Sequence, residues 1–232
     1  MLPGLGLSSR YLHLLGRHLP VTSGVWIVDC QGPIARGGGA TFKVVEVARA
    51  VCEWAPWRNI KSATVVGHSY GAQVAVELAL WKPDLVNTLV LAAPPIDPAG
   101  RRISRLVFRL LRDTLHEPVS LILMAASCYL KNGVRAWKML REALKEPLEQ
   151  RVAGLQQPVL LIRGAKDTVV PHSWTVQLSR LIGDSSLLTI PRHAHGVVFS
   201  NAQTVADAIR QFAPPGAMEM PEWSSRTQLT IL

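Results

Sequence analysis

Cysteine is scarce in this chain, charge is low, and no long apolar run occurs. Three cysteines, Cys30, Cys52 and Cys128, cannot staple a disulfide scaffold. None sits in a CxxC pair or beside a histidine cluster, so a zinc framework is not expected. Their spacing suits a reducing compartment or simple core filling, and the expected location is cytoplasmic. Only 18% of the 232 residues are charged while 48% are hydrophobic, which excludes disorder as the dominant state. No apolar stretch approaches the roughly 18 residues that a membrane span needs. The opening MLPGLGLSSRYLHLLGRHLP has no basic residues ahead of its apolar ones and is interrupted by Arg10 and Arg17, so it is a poor signal peptide. There is no internal repeat. Net charge is +9, but no zinc-finger or RNP-like motif and no basic cluster with interleaved aromatics accompanies it, so nucleic acid is not an expected partner.

Five short runs rich in Val, Ile and Leu are present: 25–30 (VWIVDC), 63–67 (ATVVG), 88–92 (TLVLA), 159–163 (VLLIR) and 186–190 (SLLTI). None alternates cleanly with polar residues, which is how strands buried on both faces of a parallel sheet read. Helix-length segments lie between them. Residues 43–55 carry apolar side chains at helical spacing, 70–81 are rich in Ala, Val and Leu and stop before Pro83, and 173–181 present a mostly apolar face. Residues 201–212 place Val205, Ala208, Ile209 and Phe212 on one stripe behind Asn201, a suitable cap. Strand and helix alternate, so the predicted class is α/β, with a mostly parallel central sheet flanked by helices. The rhythm breaks at 96–155, where no strand-like run occurs and three helices are predicted, at 101–112, 119–130 and 133–144. In the first, Arg101, Arg102, Arg105, Arg109 and Arg112 fall mostly on one side, and Ile103, Leu106, Val107, Leu110 and Leu111 on the other. The organisation expected is a discontinuous core, 1–95 and 156–213, a helical insertion at 96–155 and a tail at 214–232.

The motif that carries chemistry is Gly67-His68-Ser69-Tyr70-Gly71, a G-x-S-x-G between a predicted strand and a predicted helix. Such a turn exposes the Ser69 hydroxyl, and a side chain at position 67 or 71 would collide with the neighbouring helix and strand. The Tyr70 N–H, at the helix start, is aimed at a developing oxyanion. A serine hydroxyl needs a base, and the base needs an orienting acid. Asp167, just past the strand at 159–163, supplies the carboxylate. His193 and His195 both follow the last strand. His195 is favoured because it lies further from the strand and precedes Gly196, leaving a loop able to bend back over Ser69. His193 is then structural or lines the pocket. His68 is expected to pack rather than react, and His13, His18, His116 and His172 read as surface or loop positions.

These segments, GHSYG, RGAKDTVVP around Asp167 and IPRHAHG around His195, resemble the α/β-hydrolase superfamily, specifically its compact Ser-Asp-His hydrolases with a helical cap. Residues 25–33 resemble the strand and loop that carry an Asp-x-x-Gly there, with Asp29 and Gly32 in place. The resemblance covers about nine-tenths of the chain. It implies a second oxyanion donor in the loop 2–9, namely the Leu5 N–H partnering that of Tyr70, with Pro3 standing where the family usually has His. It also exposes a departure. The strand that should precede this loop, central in the family between those matching 25–30 and 63–66, is missing, as are the edge strands before it. The expectation is a sequence that starts late, or a sheet in which the flanking strands or another segment close the gap.

The function implied is hydrolysis of a carboxylic ester or related bond in a small, fairly apolar acyl substrate, through an acyl-enzyme and without metal or organic cofactor. Acyl transfer, thioester or carbon–carbon bond hydrolysis on the same triad, and a non-catalytic binding role, are the alternatives. The insertion is expected to form a lid, with Leu106, Phe108, Leu121, Met124, Tyr129, Trp137 and Met139 as its apolar material. It holds 11 Lys and Arg against 6 Asp and Glu, five of the nine net positive charges. A solvated face is the plain reading of its arginine stripe. Weak association with an anionic membrane surface and steering of an anionic substrate are the others.

Overall fold

The computed structural model describes residues 1–20, 24–29, 34–36 and 39–213, of which 34–36 and 39–41 are described by backbone alone. Four parallel strands form the sheet: β3 (Ala63–His68), β4 (Val86–Ala92), β5 (Val159–Gly164) and β6 (Ser185–Ile190), side by side in that order. A small antiparallel pair, β1 (Ile34–Arg36) and β2 (Gly39–Thr41), precedes them. Each predicted strand from 63 onward is present within a residue or two of its expected bounds.

Strand periodicity explains the two-layer core. In β4, Leu89 and Leu91 face one way and Val90 and Ala92 the other. In β5, Val159 and Leu161 oppose Leu160 and Ile162 in the same sense. On the first face lie α2 (Val44–Trp57), α3 (Tyr70–Trp81) and α7 (His172–Leu181). On the second lie α1 (Leu12–His18), α8 (Val197–Ser200) and α9 (Ala202–Phe212). Both faces of the central strands are therefore dry, which is why their sequences read as continuous apolar runs. At the head of α9, Asn201 stands where a cap was expected. Its side chain takes the Thr204 hydroxyl (2.9 Å) and makes no bond to the helix's backbone.

The strand expected at 25–30 is a correction. Residues 24–29 belong to no strand, and Cys30, like Gly32 of the Asp-x-x-Gly, lies outside the described residues. The gap beside β3 is bridged by the first two residues. Leu2 N–H donates to Val66 O (2.8 Å), and His68 N–H donates to Leu2 O (3.0 Å). On the other side the Met1 ammonium donates to Trp26 O (2.5 Å), and Val28 N–H to Met1 O (3.0 Å). This short bridge reaches only the C-terminal half of β3. Val66, Gly67 and His68 are buried, whereas residues 63–65, with no strand paired on that side among the described residues, are only half-buried.

Between β4 and β5 run α4 (Ile103–Asp113), α5 (Val119–Ala143) and the short α6 (Leu148–Arg151). The two helices predicted at 119–130 and 133–144 are one element kinked at Asn132 (φ −128°, ψ 21°). Helix α4 buries neither side of its amphipathic pattern whole. Its inward line is Leu106, Arg109 and Asp113, while Ile103, Val107, Leu110 and Leu111 are exposed. Of the arginines, Arg102, Arg105 and Arg112 are exposed, as a solvated face requires, whereas Arg101 and Arg109 are half-buried. Arg101 pairs with Glu149 (2.6 Å), Arg105 donates to Ala99 O, and Arg109 pairs with Asp97 and reaches Val169 O (3.4 Å). The tail, 214–232, lies outside the described residues.

Candidate active site

Three loops at the carboxyl ends of β3, β5 and β6 converge, the usual position for a site on a parallel sheet. After β3, Ser69 turns sharply with φ 52° and ψ −122°, a conformation that side chains avoid. Its N–H is held by Ala92 O (2.9 Å) and its carbonyl by Ala72 N–H (2.8 Å). The flanking glycines permit this. A Cβ on Gly67 would lie 2.3 Å from Gly71 O, and one on Gly71 would lie 2.2 Å from Leu2 O. The obstacle at Gly71 is thus the N-terminal segment, which packs directly on the turn.

After β5, Asp167 uses its two carboxyl oxygens differently. Oδ1 accepts the N–H groups of Val169 and Val170, both at 2.8 Å, while Oδ2 stands 3.0 Å from His195 Nδ1. Capping local amides and orienting an imidazole are here done by one side chain, itself fully shielded from solvent. Arg163 braces the same loop by donating to the carbonyls of Asp167 and Val170 (both 3.3 Å). After β6, His195 folds back so that Nε2 lies 2.9 Å from Ser69 Oγ. The acid and histidine loops touch through Lys166 N–H to His193 O (2.8 Å). Gly164 allows it, since a Cβ there would meet the carbonyls of His193 and Ala194 at 2.3 Å. His193 turns elsewhere and bonds Ser200 (2.9 Å). The hydroxyl, imidazole and carboxylate expected from the sequence are therefore in one line.

His68, expected only to pack, links two parts of the site. Gly4 N–H donates to the Tyr11 hydroxyl (2.6 Å), which stands 2.7 Å from His68 Nδ1. His68 Nε2 stands 3.0 Å from His195 O. A phenol that accepts from Gly4 donates onward to Nδ1, so the His68 proton is on Nε2 and points at the His195 carbonyl. Burial, with the nearby His195 charge, lowers the His68 pKa to about 3, so the ring is neutral. His195 behaves oppositely. Burial alone would lower it, but the charge and hydrogen bond of Asp167, aided by Asp113 and Glu117, raise it to about 9.

The loop holding Leu5 lies beside Ser69, where a Cβ on Gly4 would be 3.4 Å from Ser69 Cβ. Helix α5 crosses from one loop to another. Leu121 packs on Gly196 at one end. At the other, the Tyr129 hydroxyl donates to Leu5 O (3.0 Å), and Cys128 Sγ accepts from Ser8 N–H (3.4 Å). Of the apolar residues expected in a lid, Leu121, Met124 and Tyr129 belong to this crossing. Leu106 and Met139 are buried in the core, and Phe108 and Trp137 face solvent. Sequence reasoning missed Tyr11, Asp113 and Glu117. No motif marks them, because their relevance depends on which loops the chain brings against them.

A parallel α/β sheet with a helical insertion after its second strand, and a Gly-x-Ser-x-Gly turn at its carboxyl edge, defines the class of α/β-hydrolase-fold enzymes. The model of the alpha/beta hydrolase family matches residues 1–208, and the chain belongs to that family. It is 25% identical over 186 residues to the sn-1-specific diacylglycerol lipase ABHD11 of Mus musculus, covering 68% of this chain and 61% of that protein. It is 26% identical over 255 residues to the pimeloyl-[acyl-carrier protein] methyl ester esterase of Neisseria meningitidis, covering 98% of this chain and 79% of that one. Among solved structures, E-2-(acetamidomethylene)succinate hydrolase superposes with a TM-score of 0.71 at 19% identity, over 91% of this chain and 89% of the other, which speaks to the fold.

Proposed function

We propose that this protein is a serine hydrolase that cleaves a carboxylic ester of a small, fairly apolar acyl substrate through an acyl-enzyme. The observation that carries the reading is the unbroken line Ser69 Oγ, His195 Nε2, His195 Nδ1, Asp167 Oδ2, with steps of 2.9 and 3.0 Å. In it, His195 takes the Ser69 proton as Oγ attacks the carbonyl carbon. The proton then passes to the departing alkoxide, and water activated by the same imidazole releases the acid. Asp167 holds the tautomer that presents Nε2 to Ser69 and stabilises the imidazolium. The backbone N–H groups of Leu5 and Tyr70 are assigned to the oxyanion. The core of 1–95 and 156–213 carries these groups, and the insertion 96–155 covers them. Both named relatives act on esters of acyl chains, which supports ester chemistry without specifying the substrate.

The test is covalent labelling by a fluorophosphonate together with turnover of p-nitrophenyl butyrate. Wild type is expected to label and turn over. Ser69→Ala abolishes labelling and reduces kcat by roughly 10⁴-fold or more. A folded wild-type sample that neither labels nor hydrolyses overturns the reading.

A finer reading of the partner is favoured by one observation. The insertion turns Val107, Phe108, Leu110, Leu111, Leu115, Val119 and Leu123 outward among its basic residues, and this surface suits contact with an anionic membrane. Among the described residues no helix is long and apolar enough to cross a bilayer. The free thiols Cys52 and Cys128 accord with a reducing compartment, for which the cytoplasm is our assignment.

A further inference from the structure

Two carboxyl groups of the insertion stand against the catalytic loops without belonging to either. Asp113 closes α4 and is buried. Glu117 follows after the turn Thr114–His116 and is half-buried. Asp113 Oδ1 accepts the N–H (2.9 Å) and hydroxyl (3.2 Å) of Thr168, the residue after Asp167. Its Oδ2 accepts the N–H of His195 (3.2 Å). Glu117 Oε1 accepts the N–H of Gly196, and Gly196 allows the approach, since a Cβ there would lie 2.8 Å from Glu117 Oε2. Burying two neighbouring acids is costly unless they are paired or hydrogen-bonded. Among the described residues neither forms an ion pair with Lys or Arg. Arg109 is engaged by Asp97, and Arg163 by loop carbonyls. What the two acids receive instead is the backbone of the acid and histidine loops.

We propose that Asp113 and Glu117 are positioning residues for the triad, a two-carboxyl clamp through which the seating of the insertion fixes the His195 loop against Ser69 and Asp167. The clamp rests on the hydrolase reading above and assigns the insertion a task beyond covering the site. The groups facing His195 are Asp167 from the acid loop, Asp113 and Glu117 from the insertion, and neutral His68 from β3. Arg163 stands behind Asp167. Burial raises Glu117 to about 7, opposed by the Gly196 N–H and reinforced by the neighbouring Asp113. Protonation of Glu117 therefore removes one negative charge from beside His195. The charge on Glu117 strengthens the hold of His195 on its proton. Removing it lowers the His195 pKa and moves the acid limb of kcat/KM to lower pH.

The experiment uses the full chain as wild type, Glu117→Gln, Glu117→Ala and Asp113→Ala, with two readouts. The first is kcat and KM for p-nitrophenyl butyrate between about pH 5 and pH 10. The second is the NMR titration of the His195 ring, assigned with His195→Gln. Glu117→Ala and Asp113→Ala are expected to lower kcat about tenfold or more, with KM within about twofold. Glu117→Gln keeps an acceptor for Gly196 and an amide donor for Asp113, so it recovers most of kcat at its own plateau. Its His195 midpoint falls by about half a unit or more. Folded Glu117→Ala with wild-type kcat, and Glu117→Gln with an unmoved His195 midpoint, overturn the clamp. If wild type neither labels with fluorophosphonate nor turns over, the hydrolase reading fails, and the His195 midpoint alone decides: a fall in Glu117→Gln supports the clamp and an unmoved midpoint overturns it.

Discussion

Ser69 is held in a backbone conformation that costs about 1–3 kcal/mol, and its neighbours maintain it. Gly71 is the most exposed to test, because a methyl there meets the Leu2 carbonyl, and Leu2 both bridges β3 and begins the loop that carries Leu5. Gly71→Ala is expected to destabilise the fold by about 2–4 kcal/mol in urea denaturation and to suppress fluorophosphonate labelling in whatever remains folded. His68 sets a second residue-scale expectation. Its imidazole takes up a proton near 6.5 when unfolded but only near 3 when folded. Between those values the folded chain binds fewer protons, so this group's contribution to stability is lost as pH falls from about 6.5 towards 3. Glu117, raised from 4.5 to about 7, gives the opposite slope over part of that window. Urea midpoints across pH for wild type and His68→Gln isolate the histidine, and an identical slope in both would contradict its assignment as buried and neutral.

At the scale of elements, the runs at 63–67, 88–92, 159–163 and 186–190 were legible because burial on both faces leaves an apolar signature that needs no knowledge of partners. The segment 25–30 carries the same signature, yet its described residues, 25–29, form no strand, since a ladder also requires a neighbour. What residues 26 and 28 bond to is Met1, and Leu2 bonds in turn to Val66 and His68 of β3. The amphipathic pattern of α4 is legible in the sequence, but which of its residues meet the core is not, since Leu106 turns inward while Ile103, Val107, Leu110 and Leu111 do not. Arg109 and Asp113 find Asp97, Thr168 and the His195 backbone, polar partners that draw these two inward while Arg102, Arg105 and Arg112 stay exposed. In α5 the kink at Asn132 is followed by Gly133, around which a Cβ would meet nothing within 4 Å. Gly133→Ala is expected to stabilise the protein by about 0.4–1 kcal/mol through loss of unfolded-state freedom, seen as a rise of about 1–4 °C in Tm.

At the scale of the whole molecule, the apolar side chains that face solvent are concentrated on the insertion, with Leu111 at 64%, Leu115 at 81% and Leu130 at 88% exposure. The net charge of the same region is positive. A bilayer surface with anionic headgroups satisfies both properties, and screening by salt weakens the electrostatic part. The chain is expected to co-sediment with vesicles containing phosphatidylserine and to do so less with phosphatidylcholine alone. Leu111→Glu with Leu115→Glu is expected to reduce the bound fraction severalfold while leaving the far-ultraviolet spectrum unchanged. Equal sedimentation of wild type and double variant would argue against this face as the contact.

The sequence by itself determined the α/β class and the position of the Gly67–Gly71 turn, and it singled out Ser69, Asp167 and His195 as the residues to watch. These are properties of local pattern and chain order, which glycine spacing and strand burial write directly into the residues. Only the tertiary structure decided that His195 does turn back on Ser69, how residues 1–2 bridge the end of β3, which residues of α4 face the core, and that Tyr11, His68, Asp113 and Glu117 border the site. Each of those depends on contacts between segments distant along the chain, and the preferences of a single residue carry no record of the partner that folding brings to it.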